Sequence, residues 1–517
     1  MNNEINLSVS PENIQNKGYL KKIAARQLGV NLNEISDIKI LKRSLDARKK
    51  DIKYNLRIKI FTDAQSLIKE EVKFDFKNVK NCKPVIIVGS GPAGLFAAMR
   101  LIQKGIKPVI IERGSEVSER KKDVADISRL HIINPDSNYC FGEGGAGTFS
   151  DGKLFTRSTK KGDVNIVLNL LCYHGADIDI LIDSHPHIGT DKLPGLIKNI
   201  RNTILHFGGE MFFNERVNDF IIKGKKIYGV ITVNGNKFEG ESVILATGHS
   251  ADDIYNLLVS KNIQVEPKAF AMGVRVEHPQ IMIDKIQYHG KERGKYLPVA
   301  SYSLVAQSAN RGVYSFCMCP GGFVVPSATS DNEIVVNGMS PSSRNSAFAN
   351  SGIVVEIRLE DIPYKEKYGS LAGLKFQNLL EKSAFANSLS GQKAPVQRLS
   401  DFVNKRFSQN LPSTSYFPGV VSSPLHEWLP DFFYSRLKDG FIKFDKMMKG
   451  FLTSEAVIYG VESRTSSPVR IVRDKLSMQH PCIAGLYPCG EGAGYAGGIV
   501  SSAIDGINCA DRIAVAI

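Results

Sequence analysis

Cysteine is sparse in this chain of 517 residues: eight, at positions 82, 140, 172, 317, 319, 482, 489 and 509, with no CxxC pair among them. That spacing excludes a disulfide framework and a paired-CxxC zinc site, and it predicts reduced thiols. Long apolar runs are also missing. A membrane-crossing helix needs about 20 apolar residues. The uncharged run at an apolar strand, Pro84 to Met99, is interrupted by Gly89, Gly91, Pro92 and Gly94 and stops at Arg100. The opening MNNEINLSVSPEN lacks the basic start and apolar stretch of a signal peptide. A cytoplasmic location without a membrane span is the expectation. No repeat of fixed period is found, and no Ser/His/Asp order or carboxylate pair can be picked out, so catalytic residues stay unassigned. His185-Pro186-His187 has metal-like spacing but no visible third ligand, and no metal is expected.

What is present is an ordinary globular composition, 43% hydrophobic and 23% charged, in a length suited to two to four domains. The unusual bulk property is charge. The chain carries +14, and its first 83 residues hold 18 Lys and Arg against 10 Asp and Glu. Such an excess can steer anions or touch nucleic acid, although a solvated lysine-rich face is the commoner cause.

The pattern divides the chain into four stretches. Residues 1–80 read as a small α+β unit of ferredoxin-like β-α-β-β-α-β order: strands at Ile5–Ser10, Ile35–Leu41, Tyr54–Phe61 and Val72–Phe76, helices at Gly18–Leu28 and Asp63–Glu70. Lys77–Lys83 is polar and reads as a linker. Residues 83–265 open with an apolar β-branched strand, Val85-Ile86-Ile87-Val88, typical of a buried parallel sheet. A second strand follows at Pro108–Ile111, then a helix at Ile200–Phe207 and a β-meander at Phe212–Ile222, Lys226–Val233 and Lys237–Leu245. Residues 266–455 carry no single strong pattern and read as a mixed α+β substrate or cap domain. Residues 456–517 return to the first domain. The fold class expected is α/β: a Rossmann-like dinucleotide domain in three ββα layers, with the two further domains attached.

The chemistry is most legible at Gly89-Ser90-Gly91-Pro92-Ala93-Gly94, a GxGxxG that follows a strand and opens a helix. Gly89 permits the tight turn, Gly91 lets backbone approach a pyrophosphate, and Gly94 lets helix and strand pack closely. The helix N-terminus adds free N–H groups and positive dipole. Glu112, at the end of the second strand, is placed to accept both hydroxyls of an adenosine ribose, which favours FAD or NAD over NADP. Arg113 and Val217 complete the candidates at this end. Near the C-terminus, Cys489-Gly490-Glu491 ends a strand, and a helix starts near Gly498 and Ile499. There an acid can hold ribityl hydroxyls, and helix N–H groups can face the flavin edge that becomes negative on reduction. Thr247 and Gly248 close the meander beside it.

Together VIIVGSGPAG, Glu112, ATG at 246–248 and PCGEGAG at 488–494 resemble the FAD-dependent oxidoreductases of the glutathione-reductase clan. More closely, GEGGAGTFSDGKL (142–154), PHIGTDKL (186–193), SFCMCPGG (315–322), GVESRTSSPVRI (460–471) and GEGAGYAGGIVSSAIDG (490–506) resemble a bacterial group of uncharacterised FAD-dependent dehydrogenases with a small N-terminal domain. At the FAD motifs alone the chain also resembles electron-transfer flavoprotein–ubiquinone oxidoreductase and geranylgeranyl reductase. The resemblance implies FAD and architecture but no substrate. No second strand–GxGxxG–helix unit is read, so NAD(P)H or another electron donor would have no dedicated domain, and without a CxxC a disulfide-reductase relay is not expected.

Gly147, Ser150 and Lys153, in a glycine-rich stretch after the second strand, are candidates to reach the flavin ring or substrate. The alternative is a structural Ω-loop. Cys317 and Cys319 are expected to be packing thiols, because a CxC bridge is strained. His249, Arg464, Thr465 and Ser466 flank the FAD motifs and could donate to a substrate. The expected function is hydride or electron transfer through the flavin. The rivals are an RNA-linked flavoprotein gripping nucleic acid through its basic N-terminus, and an FAD-binding scaffold or sensor without turnover.

Overall fold

The computed structural model describes residues 4–62, 72–156 and 162–517. The N-terminal unit is a three-stranded antiparallel sheet with Lys53–Phe61 in the middle, Glu4–Val9 and Asp37–Asp46 at its sides, and the helix Lys17–Leu28 packed on one face. Leu7, Val9, Leu56, Ile58 and Ile60 alternate along the strands to meet Leu20 and Ala24 of the helix. The order found is βαββ. The expected helix at Asp63–Glu70 lies outside the described residues. The expected strand at Val72–Phe76 is not a strand. Instead Phe74 and Phe76 pack on Tyr173 and Phe207 of the next domain, and the Val79 N–H donates to the Phe207 carbonyl. The polar stretch Lys77–Lys83, expected to be a linker, is thus tied down through buried Val79, just after aromatics that cover the surface of the next domain.

The N-terminal unit is docked as well as tethered. The hairpin between Asp37–Asp46 and Lys53–Phe61 carries Ile52 into the largest core of the molecule, with Leu45 and Ala47 against it. Arg43 pairs with Asp183 and Asp179, and the His289 ring bonds the Ala47 carbonyl.

The middle of the chain is a five-stranded parallel sheet, ordered Leu486–Pro488, Val243–Leu245, Pro84–Val88, Lys107–Ile111, Glu210–Phe212. Its strands are apolar throughout because both faces are covered. Val85 and Ile87 point into the helical layer, while Ile86 and Val88 point at the antiparallel meander Val217–Lys223, Lys226–Thr232 and Lys237–Glu239. Phe212 and Val243–Leu245, expected at the ends of the meander, belong to the parallel sheet, Phe212 as the last residue of its edge strand. Helices Pro92–Lys104 and Ile499–Ala516 cross closely on the helical face. A Cβ on Gly506 would lie 2.1 Å from the Ala93 carbonyl oxygen.

The other large sheet has seven strands: Val305–Ser308, Arg311–Cys319, Phe348–Ile357, Phe270–Pro279, Val457–Glu462, Ala394–Arg398 and Val420–Ser422. Helix Asp431–Met447 buries Phe433, Leu437, Phe441 and Phe444 beneath it. Val457–Glu462 pairs with both Phe270–Pro279 and Ala394–Arg398. The return to the first domain expected at 456 therefore comes only after Glu462. Sequence spacing missed this because a short buried strand reads the same in either sheet.

His278 sits in the central strand of this sheet, fully buried, with one ring nitrogen bonded to the Phe451 carbonyl at 2.8 Å and the other without a partner. Burial pushes its pKa down to about 4. The folded state then binds fewer protons than the unfolded chain between pH 6.5 and 4. Stability is full above pH 6.5 and falls with acid through that window, by about 3 kcal/mol at the lower end. Urea titrations at a series of pH values should show this loss, and His278→Asn should remove most of it. An acid slope unchanged in the variant would assign the loss to other groups.

Candidate FAD site

Glycine at 89, 91 and 94 does three different things. Gly89 turns at φ +102, and a Cβ there would lie 2.5 Å from the Ala246 carbonyl oxygen. A Cβ on Gly94 would stand 2.0 Å from the Gly89 carbonyl oxygen, so only glycine lets the helix sit down on its strand. Gly91 is the N-cap of Pro92–Lys104, and no side chain caps that helix end. It has room above it: the nearest atom to an added Cβ is the Gly145 Cα at 3.8 Å. The first-turn N–H groups and the dipole therefore open into a cleft of about 640 Å³.

Glu112 is buried at the end of its strand. One carboxylate oxygen accepts from the Ser90 N–H and hydroxyl at 2.8 and 2.7 Å, the other from the N–H groups of Gly114 and Gly142, each at 3.0 Å. It lines the cleft, where a ribose could reach it, but it also fastens three loops to one another. Arg113 beside it pairs with Asp136 and Asp253 and lies over the Phe141 ring at 4.0 Å.

The glycine-rich loop after this strand is ordered by a residue that sequence reading passed over. Arg120 is wholly buried in helix Val117–Leu130 and donates to five backbone carbonyls, those of Asn138, Tyr139, Gly142, Glu143 and Gly145, at 2.7 to 3.2 Å. Desolvation lowers its pKa to about 10 despite the nearby carboxylates. Gly142 is small because a Cβ would strike the Arg120 side chain at 2.4 Å. The loop then crosses the first glycine turn, with the Gly144 N–H donating to the Ser90 carbonyl. An arginine on an amphipathic helix gives no sequence signal of this role; only the buried carbonyls reveal it.

The C-terminal motif closes the far side. Asp505, in helix Ile499–Ala516, accepts from the Gly490 N–H at 2.7 Å and is held by Arg473 through two bonds. Cys489, Asp505 and Cys509 converge closely enough to ligate a metal, but the Asp505 carboxylate is already committed to Arg473 and Gly490. Gly498 caps the helix at φ +137 with no side-chain cap, and added Cβ atoms on Gly248, Gly497 and Gly498 would meet nothing within 4 Å. Backbone is bare toward the cleft here too. Burial pushes the Glu491 carboxyl up, and the His249 ring stands 3.9 Å from it while bonding the Arg464 carbonyl.

Of the sequence-predicted residues, Gly89, Gly91, Pro92, Ala93, Glu112, Arg113, Gly147, Ser150, Lys153, Val217, Thr247, Gly248, Glu491, Gly498 and Ile499 all line this one cleft. Ser90, Gly94 and Gly490 lie behind its wall and support it. His249, Arg464 and Thr465 line it, but Arg464 is spent on Glu381 and Glu333, and the Thr465 hydroxyl donates to the Ala271 carbonyl. Ser466 and His185 do not line it, and the His185 ring lies against Phe155. The remaining wall comes from the seven-stranded domain, through Phe316, Cys317, Asn337 and Gly338. Phe316 and Cys317 stand in the SFCMCPGG stretch without a legible link to the cleft, and Asn337 and Gly338 carry no motif that spacing could have found.

A cleft with two uncapped helix N-termini, bare glycine backbone beside each and an acid at a strand end defines a dinucleotide-binding protein of the FAD type. The FAD binding domain model matches residues 83–135, the model described as FAD-dependent protein, C-terminal domain-like, matches 269–465, and a domain of unknown function matches 1–61. A Clostridium beijerinckii protein described as an uncharacterized protein is 40% identical over 530 residues, covering 99% of this chain and 98% of that one. The chain belongs to the same family, a family of FAD-dependent proteins, and its cofactor is FAD. Solved structures similar to it include CtdE in complex with FAD (13% identity, 84% of this chain and 85% of that one, TM-score 0.33) and the flavin-dependent brominase Bmp2 (14%, 84% and 79%, 0.36). Glycine oxidase from Bacillus cereus is similar at 13% identity, with 84% and 96% covered and a TM-score of 0.33. Among the described residues no helix is long and apolar enough to cross a membrane.

Proposed function

We propose that the chain is an FAD-dependent oxidoreductase acting on a small molecule that enters between the parallel-sheet domain and the seven-stranded domain. The observation that carries this reading is that both uncapped helix N-termini open into the same cleft, which the second domain then roofs. Bound FAD supplies two-electron chemistry. Gly91 and the first turn of Pro92–Lys104 would bind the pyrophosphate, and the helix end at Gly498 would stabilise negative charge on the ring edge. Phe316, Asn337 and Gly338 would exclude water and shape the substrate space. With no second parallel dinucleotide-binding sheet among the described residues, NAD(P)H or another donor would come and go through that cleft. A cytoplasmic location belongs to the same reading. The basic N-terminal unit is more economically a docking element than an RNA grip, since Arg43 and Ile52 are both engaged within the molecule.

Denaturing the purified protein should release FAD, identified by chromatography. The intact holoprotein should bleach under anaerobic conditions with a reduced donor and regain colour with an acceptor. FMN or no nucleotide in the released fraction would overturn the site. A flavin that stays oxidised with NADH, NADPH and a panel of amines, alcohols and acids would favour the scaffold reading.

A further inference from the structure

The strand Arg311–Cys319 loses register against Phe348–Ile357 just where it reaches the cleft. Phe316 pairs with Gly352 and Cys319 with Asn350, so three steps on one strand meet two on the other. This is a β-bulge, a device that re-aims a side chain. Cys317 takes the bend at φ +46, a conformation that costs a non-glycine residue on the order of 1 kcal/mol. The outcome is that Cys317 lines the cleft while Cys319 stays fully buried behind it. The Lys153 ammonium stands 3.6 Å from both sulfurs, and the Cys319 thiol donates to the Cys317 carbonyl at 3.3 Å.

The charges around the pair favour one thiolate. Lys153 and Arg344 bracket Asp151, and Arg275 is held by Glu462 through two bonds of 2.7 Å. Three cations face two anions. The remaining neighbours are His187, whose pKa burial lowers, and Glu491, whose pKa burial raises. The adjoining Cys319 side chain, with Lys153 and Arg275 nearby, holds the Cys317 thiol well below its usual value, and the neighbouring Cys317 sulfur together with burial pushes Cys319 up. An accessible sulfur with a protonated partner behind it is the arrangement of an attacking and a resolving thiol.

We propose that Cys317 and Cys319 form a thiol–disulfide exchange site, with Cys317 as the attacking thiolate, Cys319 as the resolving thiol, and a small disulfide entering the cleft as substrate. The Cys317 thiolate attacks one sulfur of the substrate. The substrate S–S bond breaks, a mixed disulfide forms on Cys317, and the first thiolate leaves. Cys319 then gives its proton to that thiolate and attacks the Cys317 sulfur, expelling the second thiolate. The pair is oxidised by two electrons, and the substrate is reduced to one thiol and one thiolate, which takes its proton from water if its own pKa requires one. The strain of a CxC bridge, which argued for packing thiols, instead suits this role, because strained disulfides are the labile and reactive ones.

Full-length holoprotein mixed with dithiobis(nitrobenzoate), a coloured aromatic disulfide, tests this without any flavin turnover. We expect a fast phase, at least about tenfold faster than labelling of the exposed Cys482. It should release two nitrothiolates per chain and leave an internal disulfide in the peptide holding 317 and 319. Cys319→Ser should release one in that phase and keep the label on Cys317. Cys317→Ser should lose the phase. Its rate should hold from pH 8 to pH 6, where an ordinary thiol slows by roughly a hundredfold. A fast phase that survives Cys317→Ser, a label retained on Cys317 in the unaltered chain, or a rate falling tenfold per pH unit would each overturn the proposal. Because sulfur is read directly, failure here leaves the oxidoreductase reading standing, and failure of flavin reduction leaves this one standing.

Discussion

Arg120→Met should cost the protein about 4 kcal/mol or more and abolish retention of FAD. Five carbonyls lose a charged donor: those of Gly142, Glu143 and Gly145 keep the Gly145 N–H, the Thr148 hydroxyl and the Thr148 N–H and lose a charge-assisted bond worth about 1.5–3 kcal/mol, while those of Asn138 and Tyr139 are left unsatisfied at about 1–3 kcal/mol each. The full sum is not reached, because removing a buried charge whose pKa is already driven down to about 10 returns part of its desolvation. What remains still places the variant among exceptional single substitutions. The functional loss has a geometric cause: these bonds hold the loop from Asn138 to Gly145 on helix Val117–Leu130, where its Gly144 N–H reaches the first glycine turn, and it forms one side of the cleft. Arg120→Lys keeps the charge but cannot reach five acceptors, so it should fall between. Urea unfolding and the flavin content after gel filtration measure the two effects. A methionine variant within about 1 kcal/mol of the parent, with its flavin, would show that water satisfies those carbonyls.

Glu112→Ala should lower FAD affinity by at least about a hundredfold, from the loss of charge-assisted hydrogen bonds worth about 1.5–3 kcal/mol each. The four donors now on this carboxylate complicate the simple ribose expectation. Glu112→Ala leaves them all without an acceptor, so apoprotein stability must fall too. Glu112→Gln separates the roles. It keeps one acceptor oxygen but turns an amide donor toward N–H groups that are themselves donors. If Glu112 only fastens loops, FAD affinity and apoprotein melting should fall in proportion across the two variants. If it also holds ribose, affinity should fall further than stability predicts. Calorimetric titration of apoprotein with FAD, beside thermal melts, distinguishes these, and unchanged affinity would remove Glu112 from the site.

The cofactor and its parent sheet were legible in the sequence because their signals are local. The turn at Gly89, the bare backbone at Gly91 and the close packing at Gly94 depend on neighbours within a few residues, and the strand at 84–88 announces burial on both faces by its composition alone. The N-terminal strands and the helix Lys17–Leu28 were likewise local. Tertiary structure decided everything that depends on which distant surface a segment meets. Phe74 and Phe76 alternate as a strand would, but an aromatic surface at Tyr173 and Phe207 claims them instead of a sheet edge. Val457–Glu462 could extend either sheet, and the pairing available on both its sides placed it in the seven-stranded one. Arg120 and Arg473 carry no motif, and Asp505 stands in one that does not announce its role, since their partners are backbone groups or charges in other segments of the chain. The spacing of Cys317 and Cys319 indicated only a strained bridge. The bulge that turns one sulfur to the cleft exists only once Arg311–Cys319 pairs with Phe348–Ile357, and the lysine from 164 residues away meets both sulfurs only where the two domains adjoin.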